Sequence, residues 1–251
     1  MIISTNPLSP VTSWELAIAQ GKITGAQPFT ATGRRTTAGA ETNSVIWANG
    51  ALYFPATGVQ PTIVSTSAND AAAGTGARTV HVHYLDQSLN QQVEVVTMNG
   101  TTPVTMAATN VRFVEYVHAE TAGTGNTAAG TITCANGANT FAIIAAGDGN
   151  STSVTRVVPN GKTAYVYAMA AGSSSGSAAA SVLVAVKASQ IDTAANASNI
   201  LYTHGAIALQ DNSATLSFPQ PARFSTGTVI TMTLTTDKAA TVVGTWYGWL
   251  E

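Results

Sequence analysis

Ser67 to Gly100 reads SANDAAAGTGARTVHVHYLDQSLNQQVEVVTMNG, and its chemistry can be taken three ways. It offers a glycine loop that cradles phosphate, a His-x-His pair that holds a metal, or a loop leading into paired strands. A phosphate site needs Gly74-Thr-Gly76 to lie between a strand and a helix, so that backbone N–H groups at the helix start face the anion. The residues after the glycines are instead Arg78-Thr-Val-His-Val-His-Tyr-Leu85, which alternate polar and apolar with the period of a half-buried strand. The glycines therefore read as a loop into that strand. His81 and His83 share one face of it at i and i+2, and His118 on another candidate strand could supply a third ligand. That face is the polar one and also carries Thr79, with no cysteine or carboxylate patterned around the pair. The expectation is solvated or interface histidines rather than a metal centre, and no cofactor. Gln91 to Met98 alternates again, and Asn99-Gly100 predicts a type I′ hairpin into Thr101 to Met106.

Outward from this stretch the same period continues, punctuated by Gly, Asn and Pro. Strands are expected over Val45 to Phe54, Pro61 to Ser67, Arg78 to Leu85, Val93 to Met98, Val111 to His118, Gly130 to Cys134 and Thr140 to Ala146. A second set runs over Thr152 to Val158, Lys162 to Ala170, Ala178 to Lys187, Ile200 to Leu209, Ala214 to Phe218, Thr228 to Thr235 and Ala240 to Leu250. Strands recurring every ~10 residues imply an all-β chain of one or two antiparallel β-sandwich domains, jelly-roll or Ig-like, and exclude βαβ units. Thr12-Ser-Trp-Glu15 is a capping-box pattern that starts a short helix over Trp14 to Gln20. Lys22 to Ser44, rich in Gly, Thr and Ala, reads as an extended arm lying on its own body or on a neighbour. The expected division is an N-terminal arm over 1–44, a β-sandwich over 45–147 and a second β-sandwich over 148–251, with one larger sandwich fed by both halves as the alternative.

Composition bounds the partners. Charged residues make up 9% of 251 residues, with a formal net charge of −2, against ~25% charged in ordinary soluble domains. Nucleic-acid binding, which needs a basic field, is not expected on that ground. No apolar run approaches the ~18 residues of a membrane span, and MIISTNPLSP lacks a basic and apolar leader, so a soluble chain is expected. The single cysteine, Cys134, sits in an alternating Thr-Ile-Thr-Cys-Ala and reads as a small buried hydrophobe. Asp86, Glu94, Glu115 and Glu120 lie on or beside strands with no partnered His or Ser in a recognisable motif, so no catalytic residues and no enzyme are expected. Thr245-Trp-Tyr-Gly-Trp-Leu250 is apolar on both faces, fitting either a core strand or one that closes against another subunit.

Several stretches taken together resemble virion structural proteins of tailed bacteriophages, the minor capsid or capsid decoration proteins of marine and cyanobacterial phages. They are Glu15-Leu-Ala-Ile-Ala-Gln-Gly-Lys-Ile-Thr-Gly25, Val45-Ile-Trp-Ala-Asn-Gly50, and Ser67-Ala-Asn-Asp70 leading to Gly74-Thr-Gly-Ala-Arg-Thr-Val80. Tyr84-Leu-Asp86, Asn99-Gly-Thr-Thr-Pro-Val104, Gly130-Thr-Ile132 and Val158-Pro-Asn-Gly-Lys-Thr-Ala164 continue in the same order. The resemblance implies a non-enzymatic part of a virion, made in the host cytoplasm, with the major capsid protein and other virion proteins as partners. A histidine pair at 81 and 83 is not characteristic of it. The leading expectation is a decoration or cement protein on the capsid exterior. The alternative is a head-fibre, collar or tail module that presents loops such as Ala171 to Ser177 to a host glycan or protein, with Trp47, Trp246 and Trp249 as candidate aromatics. Low charge favours a homo-oligomer, a trimer first, with Trp14, Arg34, Arg35, Trp246 and Trp249 as candidate partner-binding residues.

Overall fold

A computed structural model describes residues 14–51, 53–176, 179–190 and 202–251 of the chain. Among the described residues, alternation of small or polar with branched apolar residues makes the regular structure almost entirely antiparallel strand. After one short helix, α1 (Trp14–Ala19), come β1 (Gln27–Thr36), β2 (Glu41–Val45), β3 (Thr62–Ser65), β4 (Ala77–Asp86), β5 (Gln91–Thr97), β6 (Val104–Thr105), β7 (Val111–Ala122) and β8 (Ile132–Asn136). The chain continues through β9 (Asn139–Ile144), β10 (Arg156–Val157), β11 (Ala164–Ser174), β12 (Ser181–Gln190), β13 (Tyr202–Gln210), β14 (Ser213–Phe224), β15 (Thr228–Thr236) and β16 (Thr241–Leu250).

These strands form four sheets with the orders β1-β16-β11-β14, β10-β15-β12-β13, β6-β3-β8-β9 and β5-β4-β7, and β2 also pairs with β15. The first two sheets bury one core between them, fed by Phe29 and Trp246 from one side and by Val184, Ile207 and Met232 from the other. The other two bury a second core around Ile63, Val80, Val82, Val114, Ile132 and Phe141. A smaller cluster of Phe54, Leu85, Phe113, Val157 and Val229 joins the two bodies, with the Phe54 and Phe113 rings stacked at 5.1 Å. A β-bulge after His83 allows this: it puts two successive residues, Tyr84 and Leu85, indoors, one in each cluster.

The described latter part of the expected arm over 1–44 lies along the chain's own strands. β1 runs antiparallel along all of β16, from Gln27 opposite Leu250 to Thr36 opposite Thr241, and β2 lies on β15. The divisions at 44 and 147 are displaced accordingly, because the core drawn from Val154 to Leu250 also takes Phe29 to Trp47, with the other body threaded between. The inward positions of β1 are Phe29, Ala31 and Gly33, too small on average to register as an apolar period. Gly33 is required there, since a Cβ would collide with the Ile46 carbonyl oxygen and with Val154. Of the expected strand Val45 to Phe54, Val45 ends β2 opposite Thr233 and Trp47 makes an isolated bridge to Ser153, while the other described residues are turn or irregular.

The expected type I′ hairpin is also corrected. Only Gly100 takes positive φ, at 61°, and the chain leaves β5 to place β6 on β3 in the facing sheet. The turn is held by Asp70 instead. This fully buried carboxylate accepts from the backbone N–H of Ala77, Ala129 and Gly130 at 2.7–2.9 Å and from the Ser65 hydroxyl at 2.6 Å, while its own carbonyl accepts from Gly100 N–H. Gly74 and Gly76 complete the knot: Gly76 N–H donates to Asn69 O, and a Cβ on Gly76 would strike the Asp70 carboxylate. The glycine stretch is a loop folded around an aspartate, and its donors are taken up by protein.

Candidate functional site

The histidines meet on the outer face of β5-β4-β7. β4 buries Val80 and Val82 and turns Thr79, His81 and His83 outward, and antiparallel register sets His118 of β7 directly opposite His81 and Tyr116 opposite His83. One ligand-capable nitrogen from each of His81, His83 and His118 lies within 4.8 Å of the others. The rings are close: 5.1 Å between His81 and His118, 5.2 Å between His83 and His118, and 6.3 Å between His81 and His83. His83 also stacks on Tyr116 at 4.1 Å. The outer edge of β7 is held by the 149–151 segment, with Ser151 N–H donating to Val117 O and Ala119 N–H to Gly149 O, which fixes His118 in place.

The electrostatics favour neutral imidazole at the centre. Burial, then the neighbouring His118, His81 and Arg156, push the His83 pKa down to about 4. Its Nε2 is buried and has no hydrogen-bond partner among the described residues. Glu120 Oε2 sits at the rim, 3.5 Å from His118 Nε2 and 3.8 Å from His81 Nδ1. On the far side Arg156 is half-buried, donates to the Glu115, Ser153 and Thr155 carbonyl oxygens, and lies 5.6 Å from the Tyr116 ring centre. Glu115 is buried beside it, and its pKa is raised by that burial against the opposing pull of Arg156. Glu115, Tyr116 and Arg156, with Pro28 to Thr32 of β1 and the 150–152 segment, line a cleft of about 500 Å³ between the two bodies.

The other candidate residues are scattered. Trp246 is fully buried, with its indole N–H donated to Val154 O at 2.7 Å, so it is a core residue and not a partner-binding one. Trp47 is likewise buried, bonding Ala51 O. Trp249 faces out, stacked on Tyr165 at 4.8 Å with Tyr167 and Tyr247 nearby. Arg35 is held in a two-pronged pair with Glu41, whereas Arg34 is exposed. Trp14 opens α1, but its side chain, like Thr12 and Ser13 of the capping pattern, lies outside the described residues. Cys134 is buried, and that burial pushes its thiol up to about 12, as befits a packing residue. The sequence pattern did not single out Val93 and Val95 of edge strand β5, which stand 54% and 57% exposed directly opposite His83 and His81.

No protein-family model matches the chain, and no curated protein matches it. Among solved structures, the chain is similar at 11% identity and a TM-score of 0.22 to one from the IBDV viral particle, covering 90% of this chain and 73% of that one. A subviral particle of infectious bursal disease virus gives 10% identity, a TM-score of 0.16 and coverage of 90% and 75%.

Proposed function

We propose that this protein is a non-enzymatic structural component of a tailed-phage virion, a decoration or cement protein that sits on the capsid exterior against the major capsid protein. The ordered run of stretches from Glu15 to Ala164 supports the phage reading. The observation that carries an assembly role is β5, an edge strand with Val93 and Val95 more than half exposed side by side. Such an edge is a pairing and aggregation hazard unless another surface covers it. Leu183, Tyr202 and Val243 add further exposed apolar side chains on other strands. Each body is read as a β-sandwich, supported by the two-sheet composition of each core. The protein is proposed to form homo-oligomers, a trimer first, before or while attaching to the lattice.

The host-recognition alternative draws on a different observation, the outward aromatic group of Tyr165, Tyr167, Tyr247 and Trp249, because flat aromatic faces suit sugar rings. Quantitative gel densitometry of purified particles separates the two. Hundreds of copies per particle support a lattice protein, tens or fewer support a fibre or tail module, and none contradicts both.

A further inference from the structure

We propose that His81, His83 and His118 bind one divalent transition metal of the zinc class on the outer face of β5-β4-β7. The geometry alone supports this, independently of the virion reading. Three imidazoles are a donor set that suits zinc, nickel and copper, and they leave a fourth position for water or a further ligand. The i, i+2 spacing on β4 and the cross-strand register of β7 bring the three side chains to one patch without any loop having to order. Ligand nitrogens around a tetrahedral zinc lie roughly 3.4 Å apart, given bonds of ~2.0–2.1 Å. Starting from a mutual limit of 4.8 Å, small rotations of the His81 and His118 rings close the gap, and both side chains are partly exposed, at 25% and 30%.

The buried Nε2 of His83 is the strongest pointer to a ligand. A polar nitrogen removed from water without a partner costs free energy, and a metal bond at that atom would remove the cost. The His83 ring is already positioned by its stack on Tyr116. Among charged neighbours, Glu120 at the rim favours a cation and offsets the Arg156 guanidinium behind Tyr116. Val93 and Val95, exposed on β5 opposite His83 and His81, flank the patch on the side away from His118.

The chain contains four histidines, and the fourth, His204, packs edge-on against Phe224 in the other body, which makes it an internal control. The full chain, purified without a histidine tag and stripped with EDTA, is titrated with zinc chloride while the side-chain nitrogen NMR signals of its histidines are monitored. Three signals are expected to shift together and saturate at one equivalent, with His204 unmoved and a rise in melting temperature that EDTA reverses. His118→Ala and His81→Ala are each expected to weaken zinc binding by at least the ~10–100-fold typical of losing an outer partner. An unchanged His204 signal reports that these variants are folded. The proposal is overturned by no shift at several-fold excess zinc, by shifts of all four histidines in parallel, or by unaltered affinity in His118→Ala.

Discussion

Arg35 donates to both oxygens of Glu41 at 2.7 and 2.8 Å, and its remaining nitrogen reaches the carbonyl oxygens of Trp47 and Ala48. The pair ties β1 to β2 at the turn between them. The Arg35 hydrogen bond holds the Glu41 carboxyl below its ordinary value of 4.5, with burial opposing. The folded state thus binds its proton less readily than the unfolded chain, so this stabilisation is complete above about pH 4.5 and is lost as pH falls through the lower folded value. Glu41→Gln is expected to cost about 1–2 kcal/mol at neutral pH and to flatten the acid limb of stability, read by urea unfolding at a series of pH values. An acid limb identical to that of the native protein would contradict it. The two tryptophans of the last strand make a second contrast. Trp246→Ala is expected to cost ~3–5 kcal/mol because it empties the core and orphans the Val154 carbonyl, while Trp249→Ala costs ~1 kcal/mol, the worth of an outward ring stack. Equal losses in equilibrium unfolding would show that the in-out assignment of β16 is wrong.

Among the elements, β1 is the piece whose role changes most between sequence and structure. Its ten residues pair with β16, and Phe29 packs edge-on against Trp246 at 5.3 Å. Deleting residues 1–36 is expected to lower the melting temperature by ~10 °C or more, since several kcal/mol of burial and a full ladder are lost. A truncated chain that melts like the intact one would mean that the segment is peripheral after all. Strands β3 to β16 were largely legible because apolar and polar residues alternate where one face is buried, as in Val80, Val82 and Tyr84 against Thr79, His81 and His83. β1 and β2 were not, because small and polar residues at Ala31, Gly33 and Ser44 carry no apolar period. Register was also beyond local pattern. His118 could be named as a partner for His81 from composition, but that it stands opposite depends on bulges in the β4–β7 ladder. The Asn99-Gly100 signal marked a turn correctly and its partner strand wrongly, because the chain crosses between sheets there. Asp70 escaped notice because a buried carboxylate is recognised by the four donors that converge on it from 65 to 130.

For the whole molecule, the proposed association through apolar strand faces rests on the scarcity of charge and the exposed valines. With charged residues at 9% of the chain, ion pairs cannot be the main adhesive, each exposed pair being worth under ~1 kcal/mol. Light scattering on the purified chain is expected to give the same oligomer at low and high salt. Val93→Thr combined with Val95→Thr, which keeps β-branching, is expected to dissociate it with little change in melting temperature. A monomer under all conditions would contradict the homo-oligomer. With Arg35 held by Glu41, the proposed charged contact to particles falls to exposed Arg34, and such a contact is expected to weaken as salt rises. Whether the protein is a non-enzymatic part of a phage virion, seated on the head exterior, is decided by a cryo-EM map of the intact particle. Density for the two joined β bodies is expected at repeated lattice positions on the outer capsid surface, with β5 covered by a neighbour. Density found only in a tail or fibre, or in no part of the particle, would overturn that placement.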